Sequence, residues 1–246
     1  MIELPPPVAR ICQTLGAIHG VLAVTIGGSR AAGTADASSD WDLGLYYRGR
    51  PDWATLARHG EVHPPGSWGR IMNGGAWLTI DGLKVDVMLR DLDVVRYWVE
   101  AARQGRYEVD ALLGYLAGAP TYSLGAELAV NRVVVGTLRV ELGEYPEALA
   151  RAGDRRWRAH AEFSLAHART RAERGDVTGT VGQVAKAVIE TAHALACRRR
   201  QWVLNEKQLI GRVGLEELHA RFTRVPAAPA ELVQWVTGSS VALSDL

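Results

Sequence analysis

The side chains best suited to chemistry form a short pattern near the start of the sequence. Asp40 and Asp42 are separated by one residue, and ten residues lie between Gly28-Ser29 and Asp40. Alternate residues of a strand point to the same face, so we expect both carboxylates on one face of a strand. Neighbouring carboxylates repel each other and are costly to bury, which favours a bound divalent cation. Oxygen ligands indicate Mg²⁺, with Mn²⁺ as the alternative, rather than zinc.

A third carboxylate, Asp86, lies inside the otherwise apolar run 83–89. If this strand lies beside the one that carries Asp40 and Asp42, the three carboxylates form a cluster that can hold two metal ions. One ion would activate an acceptor hydroxyl and the other would stabilise a leaving pyrophosphate. Gly28 and Ser29 follow a buried strand, where backbone N–H groups and a hydroxyl can bind phosphate oxygens.

The elements that would position these residues alternate between helix and strand in the first half of the chain. Hydrophobic spacing predicts a helix over 5–19, strands over 21–26 and 41–47, and a hairpin of 76–80 with 83–90. Asp81-Gly82 favours a type I′ turn in this hairpin, because both central residues of that turn need positive φ angles. Asp91 is expected to cap the next helix.

From about residue 125 the pattern is helical, with predicted helices over 128–142, 154–174 and 177–200 and a turn at Gly175-Asp176. We therefore expect an α+β protein in which a catalytic domain with a mixed β-sheet, residues 1–112, precedes an α-helical bundle that binds substrate, residues 113–246.

Composition limits the class of protein. The chain has 246 residues, 48% of them hydrophobic, and a net charge of +1, which predicts a globular protein. Cys12 and Cys197 lack metal-ligand spacing, so a reducing, cytoplasmic location is expected. No apolar run has the length that a bilayer requires, so neither a membrane partner nor export is predicted. The excess of basic residues after residue 150 is modest, which makes a nucleic-acid partner less favoured than an anionic small molecule.

These motifs resemble the nucleotidyltransferase superfamily built on a DNA polymerase β-like catalytic domain. The likeness rests on the G-S…D-x-D signature and on Asp86 in a later strand. Residues 69–93 further resemble bacterial nucleotidyltransferase-domain proteins with a C-terminal helical domain, a layout shared with aminoglycoside and lincosamide nucleotidyltransferases. The resemblance implies two-metal transfer of a nucleotidyl group, with the acceptor site between the two domains.

The expected nucleotide-binding residues come from both halves of the chain. They are Gly28, Ser29, Arg30, Lys186, Glu206 and Lys207, while Asp40, Asp42 and Asp86 are the expected catalytic and metal-binding residues. Four of these residues have plainer alternatives. Arg30 could simply begin a helix, Lys186 could form an i,i+4 pair with Glu190, and the run 205–207 could be a helix start capped by Asn205.

The residue that removes the acceptor proton is left open by the sequence. Candidates are Asp86 itself and three glutamates, Glu127, Glu141 and Glu144. The chain has eight tryptophans, including Trp41, Trp68, Trp77 and Trp98, and we expect them to pack in the core rather than to stack on bases.

The expected function is Mg²⁺-dependent transfer of a nucleoside monophosphate, with AMP from ATP favoured, to a hydroxyl of a small-molecule acceptor. Pyrophosphate would be released. Three alternatives remain at this point: an antitoxin-like transferase that AMPylates a partner protein, a module that binds nucleotide without catalysis, and an enzyme that adds nucleotides to RNA.

Overall fold

The computed structural model describes residues 3–36, 39–244 and 246, and it shows an α+β protein. Ala37 and Ser38, which belong to the spacer between Ser29 and Asp40, lie outside the described residues. Backbone contacts divide the chain into two compact units. The first comprises Met1–Ala101 and Pro120–Gly143, and the second comprises Ala102–Ala119 and Glu144–Leu246.

The helices and strands follow one another in this order: α1 Pro6–Gly16, β1 Val21–Ile26, α2 Gly28–Ala32, β2 Trp41–Tyr47, α3 Ala54–Ala57, β3 Gly60–His63, α4 Gly69–Met72, β4 Gly74–Ile80, β5 Leu83–Asp91, α5 Leu92–Arg103, β6 Val109–Asp110, β7 Ala119–Pro120, α6 Ser123–Val130, β8 Arg132–Gly136, α7 Glu147–Glu173, α8 Val177–Arg198, α9 Leu209–Arg212, a 3₁₀ helix Glu216–Phe222, and α10 Pro229–Ser244.

The first unit is built on a six-stranded mixed sheet with the strand order β3-β4-β5-β2-β1-β8. Only its central pair, β2 with β5, is parallel, and the other pairs are antiparallel. The sequence predicted the bounds of β1 and β2 correctly, because both are continuous apolar runs that end at turn residues. The parallel pairing places the start of β2 beside the start of the apolar part of β5.

One face of this sheet forms the core of the first unit. Every second residue of β2 and β5 points into it and is almost fully buried, and α1 covers it with an apolar stripe. The buried residues on the central strands are Trp41, Leu43, Leu45, Val85, Val87 and Leu89, and those on α1 are Val8, Ile11, Cys12 and Leu15. Because strand residues alternate between faces, this burial directs the intervening residues of β2 and β5 to the opposite face.

The hairpin of β4 and β5 and the start of α5 agree with the sequence-based expectation. Asp81 and Gly82 both have positive φ angles, 49° and 81°, as a type I′ turn requires. One carboxylate oxygen of Asp91 accepts hydrogen bonds from the backbone N–H groups of Asp93 (2.9 Å) and Val94 (3.4 Å), which satisfies donors in the first turn of α5. The predicted turn and cap are therefore confirmed.

The helix predicted over 128–142 is wrong. Helix α6 ends at Val130, and β8 (Arg132–Gly136) pairs antiparallel with β1 at the edge of the sheet. The reason is local, because β8 contains three consecutive valines, whose branched side chains favour strands over helices. Asn131 stabilises the change of direction, since its Nδ2 donates to the Oγ1 of Thr25 at 3.0 Å. Residues 120–143 thus return to the first unit, which the division expected at residue 112 did not anticipate.

The second unit is built around the long helices α7 and α8. A three-residue connection joins them, in which Gly175 has a φ of 71° and Asp176 caps α8 by accepting from the N–H of Gly179 at 2.8 Å. These helices confirm the predictions over 154–174 and 177–200, and helix α10 packs mainly against α7. None of the helices in the described ranges combines the length and the apolar composition needed to cross a bilayer.

Candidate active site

Asp42 and Asp86 occupy the same register position on the two central parallel strands. The pairing of β2 with β5 aligns Trp41 with Val85 and Asp42 with Asp86. Parallel neighbours lie about 4.8 Å apart and aligned residues point to the same face of the sheet. Both aspartates are half-buried between buried apolar neighbours. The two carboxylates are therefore directed away from the core, to the opposite face of the sheet.

The turn after β1 closes directly on Asp42. The backbone N–H of Gly27 donates to the carbonyl of Asp42 at 2.8 Å. Gly28 has a φ of 58°, and a Cβ at this position would overlap with Oδ2 of Asp42. Only glycine fits this position, both because of its backbone conformation and because the Asp42 carboxylate occupies the space of a side chain. Ser29 follows in the short helix α2. Gly28 therefore lies beside the Asp42 carboxylate, and the expected contacts of Gly28 and Ser29 with phosphate stay a prediction.

Asp40 is placed differently from the other two aspartates. It precedes Trp41, the first residue of β2, and the alternation that puts residues on one face applies only within a strand. Within the described ranges, no three side chains of the types His, Cys, Asp and Glu are arranged to hold a metal ion together. The expected cluster of three carboxylates is thus not assembled. The structure brings together the pair Asp42 and Asp86.

Arg30 connects α2 to the segment before β2. Its Nε donates to the carbonyl of Asp40 at 3.1 Å, and its Nη2 donates to the carbonyl of Ser39. The guanidinium carbon lies 4.1 Å from the centre of the Trp41 ring, which is a cation–π contact. Arg30 therefore holds the backbone next to Asp40, and its expected contact with a nucleotide stays a prediction.

Sequence reasoning missed a buried ion pair on the face of the sheet that carries Asp86. Arg90 lies four residues after Asp86 on β5, and its Nε donates to Oε2 of Glu127 on α6 at 2.7 Å. The two side chains are 4% and 12% exposed. Arg90 also donates to the carbonyl of Met72 at 3.0 Å. The glutamate proposed as a general base is thus the counter-ion of a buried arginine. Glu141 and Glu144 are exposed, and their proposed role stays a prediction.

The charges of Arg90 and Glu127 also contribute to the pKa of a neighbouring tyrosine, Tyr46. Burial raises the pKa of Tyr46 far above its usual value, and the negative charge of Glu127 raises it further, while Arg90 opposes the change. Tyr46 is aligned with Arg90 in the pairing of β2 with β5. Its hydroxyl accepts a hydrogen bond from Nδ2 of Asn131 at 3.3 Å. Tyr46 is therefore neutral at physiological pH.

Lys186 in the second unit neutralises a buried carboxylate. Its Nζ lies 2.6 Å from Oε1 of Glu190, whose side chain is 0% exposed, whereas that of Lys186 is 34% exposed. The hydroxyl of Ser164 on α7 donates to the other oxygen of Glu190 at 2.7 Å. The i,i+4 pair considered from the sequence is confirmed. Contact of Lys186 with a nucleotide stays a prediction.

The run 205–207 is organised by contacts within the second unit. Both carboxylate oxygens of Glu206 accept backbone hydrogen bonds, from Leu116 at 2.6 Å and from Ala117 at 2.8 Å. The side chain of Asn205 accepts from the N–H of Lys207 at 2.9 Å. However, α9 begins only at Leu209, so Asn205 does not cap it. The expected contacts of Glu206 and Lys207 with a nucleotide stay a prediction.

Trp77, which lies beside Asp86, contacts two further aromatic rings. Trp77 on β4 is aligned with Asp86 in the antiparallel pairing of β4 with β5. It is 50% exposed, although its neighbours Ala76 and Leu78 are buried. Its ring centre is 4.4 Å from that of His63 and 5.6 Å from that of Trp68. The expectation that the tryptophans pack in the core is thus wrong for Trp77.

Comparisons with known proteins complete the description. No protein-family model and no curated protein matches the chain. A similar solved structure is a nucleotidyltransferase-like protein from Exiguobacterium sibiricum 255-15, with 11% identity, a TM-score of 0.49, and coverage of 97% of this chain and 74% of that one. Another is an aminoglycoside 6-adenyltransferase from Bacillus subtilis, with 7% identity, a TM-score of 0.29, and coverage of 97% and 89%. At these values neither likeness assigns an activity to this chain.

Proposed function

We propose that the protein is a Mg²⁺-dependent nucleotidyltransferase that moves a nucleoside monophosphate, with AMP from ATP favoured, to a hydroxyl of a small-molecule acceptor. The observation that carries the proposal is the alignment of Asp42 with Asp86 beside a glycine that has no room for a side chain. Like charges placed opposite each other destabilise a sheet. A role in binding a cation gives a physical reason for this arrangement.

The carboxylate pair suits magnesium without a third protein ligand. Mg²⁺ is usually bound through one or two carboxylates, with substrate phosphates and water completing its coordination, rather than by a cage of protein groups alone. Asp42 and Asp86 would hold the ion on the face of the sheet opposite α1. Asp40 would join them only if the segment before β2 moved. When bound, the ion would stabilise the negative charge that develops on the phosphates.

The protein groups have distinct roles in this proposal. The backbone N–H groups of Gly28 and Ser29 would bind the β- and γ-phosphates. Asp86 would accept the proton of the acceptor hydroxyl as its oxygen attacks the α-phosphorus. The bond between the α-phosphorus and the bridging oxygen would break, and pyrophosphate would leave with the bonding electrons. Arg30 would act by positioning, because it holds the backbone of Ser39 and Asp40.

The test is to incubate the protein with Mg²⁺ and each α-labelled NTP, together with panels of hydroxylated small molecules, proteins and tRNA. We expect transfer of label to a small molecule with release of pyrophosphate. Asp42→Asn should lower the rate by about 1000-fold, because it removes an anionic ligand of the metal. Gly28→Ala should lower it as well, because the new methyl group overlaps with the Asp42 carboxylate.

Arg169→Met is a matched control, because Arg169 is an exposed residue of α7 in the second unit. Its rate should equal that of the unchanged protein. Pyrophosphate release that survives in Asp42→Asn would refute the assigned site. Label found in protein or in tRNA instead would identify the corresponding alternative acceptor.

A further inference from the structure

A single register row crosses four strands of the sheet and contains the carboxylate pair. Glu61 on β3 is aligned with Trp77 on β4, Trp77 with Asp86 on β5, and Asp86 with Asp42 on β2. Aligned residues of paired strands point to the same face. The row therefore runs from an acidic residue through an exposed indole to the two central carboxylates, and it ends beside Gly28.

The indole of Trp77 is held in place by its neighbours. His63 contacts it edge-on, with an angle of 68° between the ring planes, and Trp68 lies tilted by 32°. The ring of Trp68 occupies the space above Gly75, where a Cβ would overlap with it. A half-exposed tryptophan braced by two further rings loses little conformational entropy when a ligand stacks on it.

The groups on either side of Trp77 accept hydrogen bonds. Glu61 has a side chain that is 68% exposed, and its Oε1 lies 3.5 Å from Nε2 of His63. Asp86 lies on the other side in the row. An ionised carboxylate can only accept, so it selects ligand groups that donate, such as hydroxyls. A flat indole between two acceptors fits a ring that has an apolar face and hydroxyl groups around its edge.

We propose that Trp77, flanked by Glu61 and Asp86 and braced by Trp68 and His63, binds the ring of a polyhydroxylated cyclic acceptor. This inference rests on the proposed function, which sets the side from which the acceptor would approach. The phosphate-binding turn follows β1, on the far side of Asp42 from Trp77. The acceptor must approach the α-phosphorus from the side opposite the leaving pyrophosphate, so with the pyrophosphate at the turn after β1 the acceptor would approach from the side of Trp77.

The test compares two probes with the same number of hydroxyl groups, myo-inositol, which is a ring, and mannitol, which is an open chain. Binding to the intact protein is followed by NMR through the indole N–H signal of Trp77, identified as the signal lost in Trp77→Phe. We expect myo-inositol to shift this signal saturably and mannitol to leave it unchanged. Trp77→Ala should weaken binding of myo-inositol by about 10-fold, because it removes the apolar face against which the C–H groups of the ring would pack.

Several variants separate the outcomes. Tyr97→Ala removes an aromatic side chain on α5 that is 57% exposed, and it should leave binding of both probes unchanged. Trp77→Phe should retain part of the affinity, because it keeps an aromatic face, and Glu61→Gln should weaken binding less than Trp77→Ala does. Equal binding of the two probes, or unchanged binding in Trp77→Ala, would overturn the proposal. It would also be overturned if Trp77→Ala weakened binding of ATP, because the indole would then hold the base.

Failure of this inference is distinguishable from failure of the proposed function. Asp42→Asn should weaken binding of Mg²⁺ and ATP but leave the affinity for myo-inositol within twofold, since Asp42 is separated from Trp77 by Asp86 in the row. If Asp42→Asn did not affect Mg²⁺ or ATP, the proposed function would fail while the ring site could still be measured. If myo-inositol did not bind at Trp77, the proposed transfer of a nucleotidyl group would still stand, because the labelled-NTP assay tests it separately.

Discussion

One carboxylate of the second unit and one carboxylate pair of the first unit lie in different electrostatic settings. In the second unit, Glu190 is fully buried, and Lys186 and Ser164 contact its two oxygens. In the first unit, the register of β2 and β5 sets Asp42 opposite Asp86, two groups of the same charge. The contacts of Glu190 favour folding, whereas the like charges of Asp42 and Asp86 at aligned positions repel each other.

The electrostatic surroundings of a carboxylate thus distinguish residues that stabilise the fold from residues that we propose to act in catalysis. A carboxylate that is neutralised by its own chain stabilises the native state, and its removal should be measured as lost stability. A pair of like charges on an accessible face should show the reverse, because its removal relieves repulsion and costs activity instead.

Lys186→Met should lower the free energy of unfolding by about 3 kcal/mol, because it leaves the buried carboxylate of Glu190 without its counter-ion. Urea denaturation at neutral pH measures the change. The double variant Lys186→Met with Glu190→Gln should regain most of the loss, since no buried charge then remains. In the matched control Arg169→Met, the pair with Glu173 is exposed on both sides, and the loss should stay below about 0.5 kcal/mol. Equal losses in Lys186→Met and Arg169→Met would break the contrast.

Local sequence patterns predicted much of the first unit. Continuous apolar runs gave the bounds of β1 and β2, and Asp81-Gly82 gave the hairpin turn, because turn chemistry acts over a few residues. The edge strand β8 was missed, although its three valines were a readable signal against a helix. Strand order is decided by long-range packing. The sequence could therefore predict that Asp42 and Asp86 lie together only on the assumption that their strands are neighbours.

The site was predicted less completely than the fold, for the same reason. The pattern of Gly28, Asp42 and Asp86 was visible because each residue breaks an otherwise apolar context. The pairing of Arg90 with Glu127 joins residues 37 positions apart, and no local pattern indicates it. The position of Trp77 in the row with Asp86 also depends on register, which composition does not specify.

A second prediction concerns the dependence of stability on pH, which a buried histidine of the second unit controls. His193 on α8 is stacked on Trp157 at 4.4 Å, and burial lowers its pKa to about 3. The unfolded chain binds a proton near pH 6.5, so between these values the unfolded state holds more protons and stability falls as the pH falls. We expect a loss of about 1 kcal/mol between pH 6 and pH 5 from this residue.

His193→Phe keeps a ring against Trp157 and removes the titration, so its stability should depend less steeply on pH in this range. The slopes are compared rather than the absolute stabilities, because the substitution also changes packing. His59→Asn is a control at an exposed histidine and should retain the slope of the unchanged protein. A slope in His193→Phe equal to that of the unchanged protein would show that burial of this histidine does not control acid stability.

The smallest expected change is the most informative about the first unit. Asp86→Asn should raise the free energy of unfolding by about 0.5 kcal/mol in the absence of metal, because it removes one of two like charges at aligned positions. Asp42→Asn should do the same, and the double variant should gain less than the sum, since either substitution already relieves the repulsion. Added Mg²⁺ should stabilise the unchanged protein and not the double variant, because a ligand that binds only the native state raises its stability. If Asp86→Asn instead lost stability as Lys186→Met does, the carboxylate pair would belong with Glu190 among the groups that support the fold, and the contrast between the two units would disappear.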